Sequence, residues 1–199
     1  TIRNKLMVGH TRSAIYFSNL IACSMVSLFY HLIYIVVLFG AGSLLLKSWD
    51  TPMKTLMILT ALSLITVIAL SAIFTMLAML IHNRSVSAVT AMLVAMAMLM
   101  SAMTIVAMLN AREYIDNAFV MNEVGELVQG DPIPNPKYLT GTKREVYQHI
   151  LNLIPIGQML QFGNLQDVSS MYFFQFYAMI VVMVCTGVGL MIFQRKNIR

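Results

Sequence analysis

Four long stretches of this chain contain no Asp, Glu, Lys or Arg: residues 16–39, 55–81, 86–109 and 171–193. About 20 predominantly apolar residues in helical form cross the hydrocarbon layer of a bilayer, and each stretch exceeds that length. A strand reading would require a closed barrel with alternating polar and apolar positions, and these runs do not alternate. Overall composition agrees. Hydrophobic residues make up 59% of the 199 and charged residues only 11%, against about a quarter charged in soluble domains. The expected fold is all-α integral membrane, with four transmembrane helices.

The charges then order the ends of these spans. With residue 1 on one side, four crossings put residues 1–15, the turn 82–85 and the tail 194–199 together. That side holds seven cations (Arg3, Lys5, Arg12, Arg84, Arg195, Lys196 and Arg199) and no acid. The opposite side holds six cations and all eight acids. An excess of Lys and Arg in short loops marks the cytoplasmic face, so both termini are expected in the cytoplasm. The net charge of +5 is thereby read as a topology signal, and no nucleic-acid partner is implied.

The sizeable region between spans is 110–170, expected outside the cell as an external amphipathic-helix region. Residues 111–128 read as an amphipathic helix, with Tyr114, Ile115, Ala118, Phe119, Val124, Leu127 and Val128 on a broad face. Pro132, Pro134 and Pro136 end it. Residues 143–163 read as two short helical pieces with a break near Pro155 and Gly157, lying on the outer leaflet or packing against the span mouths.

Little of the chain suits enzyme chemistry. The spans contain no carboxylate, there is no phosphate-binding G-x-x-x-x-G-K-[ST] loop, and no catalytic residue or metal site is expected. The 18 methionines have no acid, paired His or paired Cys at ligand spacing beside them, and read as adaptable apolar filler. Cys23 and Cys185 read as small buried hydrophobes. Asn83-Arg84-Ser85 matches a glycosylation sequon but falls on the cytoplasmic side. His31 is the one imidazole within a span, which makes it a candidate pathway residue, although a neutral histidine bonded to a neighbouring hydroxyl is the commoner arrangement. Gly187 and Gly189 offer positions for close helix approach, against a background of ordinary bundle packing.

The basic opening segment, TIRNKLMVGHTRSAIYFSNL, has two physical readings: an interfacial helix anchored to anionic headgroups, or a docking helix for a cytoplasmic partner. This segment resembles the cytoplasmic segment of ABC transporter permeases of the type-2 exporter family, found in bacteria. Three further stretches are similar: Asn135 to Gln148 (NPKYLTGTKREVYQ), Ile154-Pro155-Ile156-Gly157-Gln158, and the ending from Gly189 to Arg199.

The resemblance implies a permease subunit of the bacterial plasma membrane that pairs with a cytoplasmic ABC ATPase and with a second permease copy or a homologue, among membrane lipids. ATP and Mg would belong to the partner ATPase, with no cofactor in this chain. Family members have six spans, so these four would correspond to the third to sixth. By matching positions, Arg3, Asn4, Lys5, Leu6, Gly9 and Arg12 would form the cytoplasmic coupling helix that docks on the ATPase, with His82 and Arg84 as a second, smaller contact. The expected cargo is a hydrophobic or amphipathic compound, a peptide or a lipid-like molecule. The alternative is a non-transporting sensor or scaffold subunit whose external region binds a partner.

Overall fold

The computed structural model describes residues 7–46, 51–115, 119–121, 127–129, 132–162 and 168–196. Four helices are long and apolar enough to cross a membrane: α1 (Arg12–Leu46), α2 (Met53–Leu80), α3 (Arg84–Leu109) and, last in the chain, α6 (Val168–Arg195). Two short helices, α4 (Gly141–Leu153) and α5 (Pro155–Gln161), precede α6. The chain is thus a multi-pass helical membrane protein. The long helices match the four charge-free runs and extend past most of their ends, α1 farthest. At 1.5 Å per residue its 35 residues reach about 52 Å, well beyond the hydrocarbon layer.

The helix starts follow from local chemistry. Thr11 caps α1: its hydroxyl accepts from the Ala14 N–H at 3.2 Å. Asn83 caps α3, its side-chain oxygen accepting from the N–H groups of Ser85 (2.9 Å) and Val86 (3.4 Å). The asparagine of the sequon therefore serves as a helix cap. Gly9, at φ +94°, turns the chain ahead of α1 in the left-handed region that glycine enters without strain.

The centre of the bundle is α2, which packs most extensively on α6 and next on α1. The two central helices run parallel. Leu62 packs with Phe174 toward one end, and Lys196 reaches the last carbonyls of α2 at the other. Three buried clusters mark the core: Ile15, Tyr16, Met79 and Phe193 at the end bearing the chain termini; Leu62 with Phe174; and Ala102, Ile105, Leu109 and Leu151 where α3 meets α4. Outside these clusters the helices present apolar side chains outward. Val36, Leu44, Met92 and Phe173, for example, are 70%, 82%, 71% and 67% exposed. Soluble monomers rarely expose contiguous apolar surface on this scale; a bilayer supplies the missing cover.

The region before α4 differs from its expected form. Among the described residues of 111–128, where an amphipathic helix is expected, no helix is found, and residues 116–118 and 122–126 lie outside the described residues. Instead β1 (Tyr114–Ile115) pairs antiparallel with β4 (Ile133–Pro134), and β2 (Phe119–Met121) pairs with β3 (Leu127–Gln129). In the first pair Tyr114 stands opposite Pro134 and Ile115 opposite Ile133; in the second Phe119 stands opposite Gln129 and Met121 opposite Leu127. Tyr, Ile, Phe and Val favour a pleated surface, and Val120 stands opposite Val128 in the register of the second pair. Asn135 closes the outer end of the β1–β4 pair. Its backbone N–H donates to the Glu113 carbonyl (2.8 Å), its side-chain amide to that of Arg112 (2.8 Å), and its side-chain oxygen accepts from the Lys137 N–H (3.0 Å).

The two helical pieces expected around the Pro155 break are α4 and α5. Pro155 opens α5 at its first turn, where its missing N–H costs nothing. Gly157 permits the join: a Cβ there would lie 2.5 Å from the Leu151 carbonyl oxygen. The pair packs against α2, α3 and α6 as an elbow inserted into the bundle.

Candidate functional site

Two polar assemblies hold the bundle, one at the end bearing the termini and one deep within it. At the end bearing the termini, the two N–H donors of Arg12 Nη1 meet three carbonyls at the close of α6: Gln194 (2.6 Å), Lys196 (2.6 Å) and, sharing one of those protons, Phe193 (3.2 Å). Lys196 Nζ in turn donates to Met79 (3.2 Å) and Leu80 (2.9 Å), the last carbonyls of α2. Gln194 Nε2 donates to Ser13 Oγ at 3.1 Å. Carbonyls at a helix C-terminus lack intrahelical donors and carry partial negative charge. Two cations therefore satisfy two helix ends in series and tie the segment entering α1 to both α6 and α2. Beneath them Tyr16 is fully buried, its hydroxyl 3.4 Å from the Cys185 carbonyl. Gly189 makes the room: a Cβ there would collide with the Tyr16 hydroxyl and lie 3.0 Å from Met76 Cγ. A Cβ on Gly187 would meet nothing within 4 Å.

The second assembly centres on Gln158, which is fully buried. Its Nε2 donates to the carbonyls of Asn152 (2.6 Å) and Phe174 (3.2 Å), and its Oε1 accepts from Thr66 Oγ1 at 3.0 Å. Thr66 stands thirteen residues into α2, about 20 Å along its axis, so the α5 elbow is anchored deep in the bundle. Non-helical backbone such as the Ile154 break is tolerated at that depth only when protein surrounds it. Around it Gln148, Asn152 and Gln161 share an amide cluster, with bonds of 2.6 to 3.2 Å.

Between the two outer helices lies a large opening. α1 and α3 each pack on α2 but hardly on one another, leaving a groove of about 1620 Å³ floored by α2. Val26, Val67, Leu70 and Phe74 are among its apolar lining, and Ser87, Ala88 and Ala91 keep the α3 side low. Its mouth, at the end bearing the termini, is lined by Met7, His82, Arg84 and Lys196.

The residues singled out by sequence thus separate. His82 and Arg84 line the groove mouth. Gly9 forms the turn before α1, and Arg12 is engaged with its own chain's α6. Arg3, Asn4, Lys5 and Leu6 lie outside the described residues. His31 is not among the groove-lining residues. Its Nε2 lies 2.8 Å from Ser63 Oγ, which also lies 2.7 Å from the Thr60 carbonyl. This contact joins α1 to α2, and the His31 ring stacks on Tyr34 with ring centroids 5.9 Å apart.

Sequence reasoning did not single out Tyr16, Thr66 or Lys196. The last two could have been sought as a hydroxyl in mid-span and a cation immediately after a span. Among the described residues no group of three or more His, Cys, Asp or Glu side chains could hold a metal. Comparison with known proteins returns no match: no family model, curated protein or solved structure is similar to this chain.

Proposed function

We propose that this chain is the membrane-spanning permease subunit of an ATP-driven exporter. The basic segment before α1 docks on a separate cytoplasmic ABC ATPase, and a hydrophobic or amphipathic molecule moves outward along the bundle, alongside a second permease copy or a homologue. The observation that carries the reading is the linkage from Arg12 to the ends of α6 and α2. A push on the segment entering α1 is delivered through Arg12 and Lys196 to both central helices. In this arrangement Arg12 positions the docking segment, while Arg3, Asn4, Lys5 and Leu6 meet the ATPase. Gly9 supplies the bend between the docking residues and the span, and His82 and Arg84 form the smaller contact. The carboxylate-free spans suit an apolar cargo better than an ion.

Expression with the ATPase from the same genomic neighbourhood tests the reading. The two are expected to co-purify, and Leu6→Ala combined with Arg3→Ala is expected to lower transport-coupled ATP hydrolysis by about tenfold, the loss of roughly 1.4 kcal/mol at the docking face. A stable permease with no ATPase bound, or hydrolysis unaltered by the double substitution, would refute the proposal and favour the sensor or scaffold role.

A further inference from the structure

We propose that the groove between α1 and α3 is a binding site for an anionic phospholipid, its acyl chains along the apolar wall and its phosphate at the mouth formed by His82, Arg84 and Lys196. Three features of the groove lead there.

The first is shape. The groove holds about 1620 Å³, more than the roughly 300–1,000 Å³ of pockets for drug-sized ligands. It is bounded by helices that cross the membrane, so its long side opens toward the bilayer. A ligand delivered from the lipid phase fits such a site better than one delivered from water.

The second is the division of its surface. Valine, leucine and phenylalanine side chains of α1 and α2 line the body, while the cations gather at one end. That is the division of a lipid into chains and headgroup. A soluble phosphate would leave the apolar body unfilled, and an uncharged lipid would leave the cations unanswered.

The third is the state of those cations. Lys196 Nζ donates to two backbone carbonyls, Met79 and Leu80, which fix its position without cancelling its charge. An ammonium has three donors, so one remains for a ligand. Arg84 has no carboxylate partner among the described residues, and it lies in the first turn of α3, where the helix dipole adds further positive potential. No acid occurs in the sequence of the turn 82–85 or the tail 194–199. A second copy of the chain is a poorer occupant. Two copies side by side in one bilayer place the same basic ends at the same level, so cations would face cations at the mouth.

The mouth shares His82 and Arg84 with the smaller ATPase contact proposed above, so headgroup and ATPase would meet the same side chains. The purified chain without an ATPase isolates the lipid site. A lipid held there as cargo and one held as a permanent resident make the same contacts. Cys23 lines the groove and is exposed, which makes it a native reporter. The test uses the full chain carrying Cys185→Ala, purified in a neutral detergent, with the rate of Cys23 alkylation by N-ethylmaleimide as the readout. Phosphatidylglycerol is expected to slow alkylation about tenfold, while phosphatidylcholine and free glycerol phosphate leave it within about twofold. Arg84→Gln, at an exposed position, is expected to raise the phosphatidylglycerol concentration needed by about fivefold, as one lost cation near an anionic headgroup implies. Equal protection by both lipids, or protection by neither, would overturn the proposal. So would protection by glycerol phosphate alone, or an oxidant-induced Cys23–Cys23 disulfide that persists with lipid present, which would seat a second copy in the groove. Because ATPase co-purification is a separate measurement, either proposal can fail while the other stands.

Discussion

At the scale of single residues, most of the decisive positions are small or polar, and each is decided by what lies opposite. Gly187 and Gly189 are two residues apart in one helix and look equivalent in sequence. Only Gly189 faces the ring of Tyr16, and only there would a Cβ have no space. Gly189→Ala is therefore expected to destabilise the purified protein by about 1–3 kcal/mol, the usual cost of overpacking, whereas Gly187→Ala leaves stability unchanged or slightly raised. Thermal unfolding of the two variants in the same detergent checks the contrast. His31 teaches the same lesson. As an imidazole in a span it invites a transport role, yet its partner is the hydroxyl of Ser63 on the neighbouring helix. Gln158 shows the reverse. A glutamine in a short Pro-Ile-Gly-Gln motif is unremarked by composition, and the structure buries it where α2, α5 and α6 meet.

At the scale of elements, the long helices were legible because a charge-free run exceeding bilayer length has one stable conformation in lipid. The stretch 111–128 was not, because its apolar residues fall in adjacent pairs such as Tyr114-Ile115 and Leu127-Val128, which match neither a 3.6-residue nor a strict two-residue period. Strand pairing decided instead: β2 finds β3 at the end of the stretch, whereas the partner of β1, Ile133–Pro134, lies beyond it. The connection between helix ends is the other property of this scale. All three bonds from Arg12 to the end of α6 come from one nitrogen, so an ammonium can replace much of the interaction. Arg12→Ala is expected to speed amide exchange over residues 193–196 by roughly tenfold, consistent with about 1–2 kcal/mol for a lost helix-end cation in a partly buried setting. Arg12→Lys is expected to lie closer to the wild type. Hydrogen exchange read by mass spectrometry distinguishes the three proteins.

At the scale of the whole molecule, the four spans place the turn 82–85 and the segment after α3 at opposite ends of the bundle. A membrane-impermeant maleimide applied to intact cells is expected to label Lys137→Cys and to spare Ser85→Cys, both in a background lacking Cys23 and Cys185. The opposite pattern would reverse the orientation read from the positive charges. The sequence alone determined that the chain carries four runs long and apolar enough to cross a membrane as helices, because lipid cannot satisfy exposed backbone. It also determined the gathering of unaccompanied cations at one end, since charge order along a chain with a known number of crossings needs no coordinates. Only the tertiary structure decided that Arg12 and Lys196 close the ends of α6 and α2, that Gln158 anchors a helical elbow deep in the bundle, and that α1 and α3 stand apart around a groove. Each of these joins residues far apart in sequence, Arg12 and Lys196 by 184 positions, and a hydrogen bond or a gap between helices exists only once packing has brought its two sides into register.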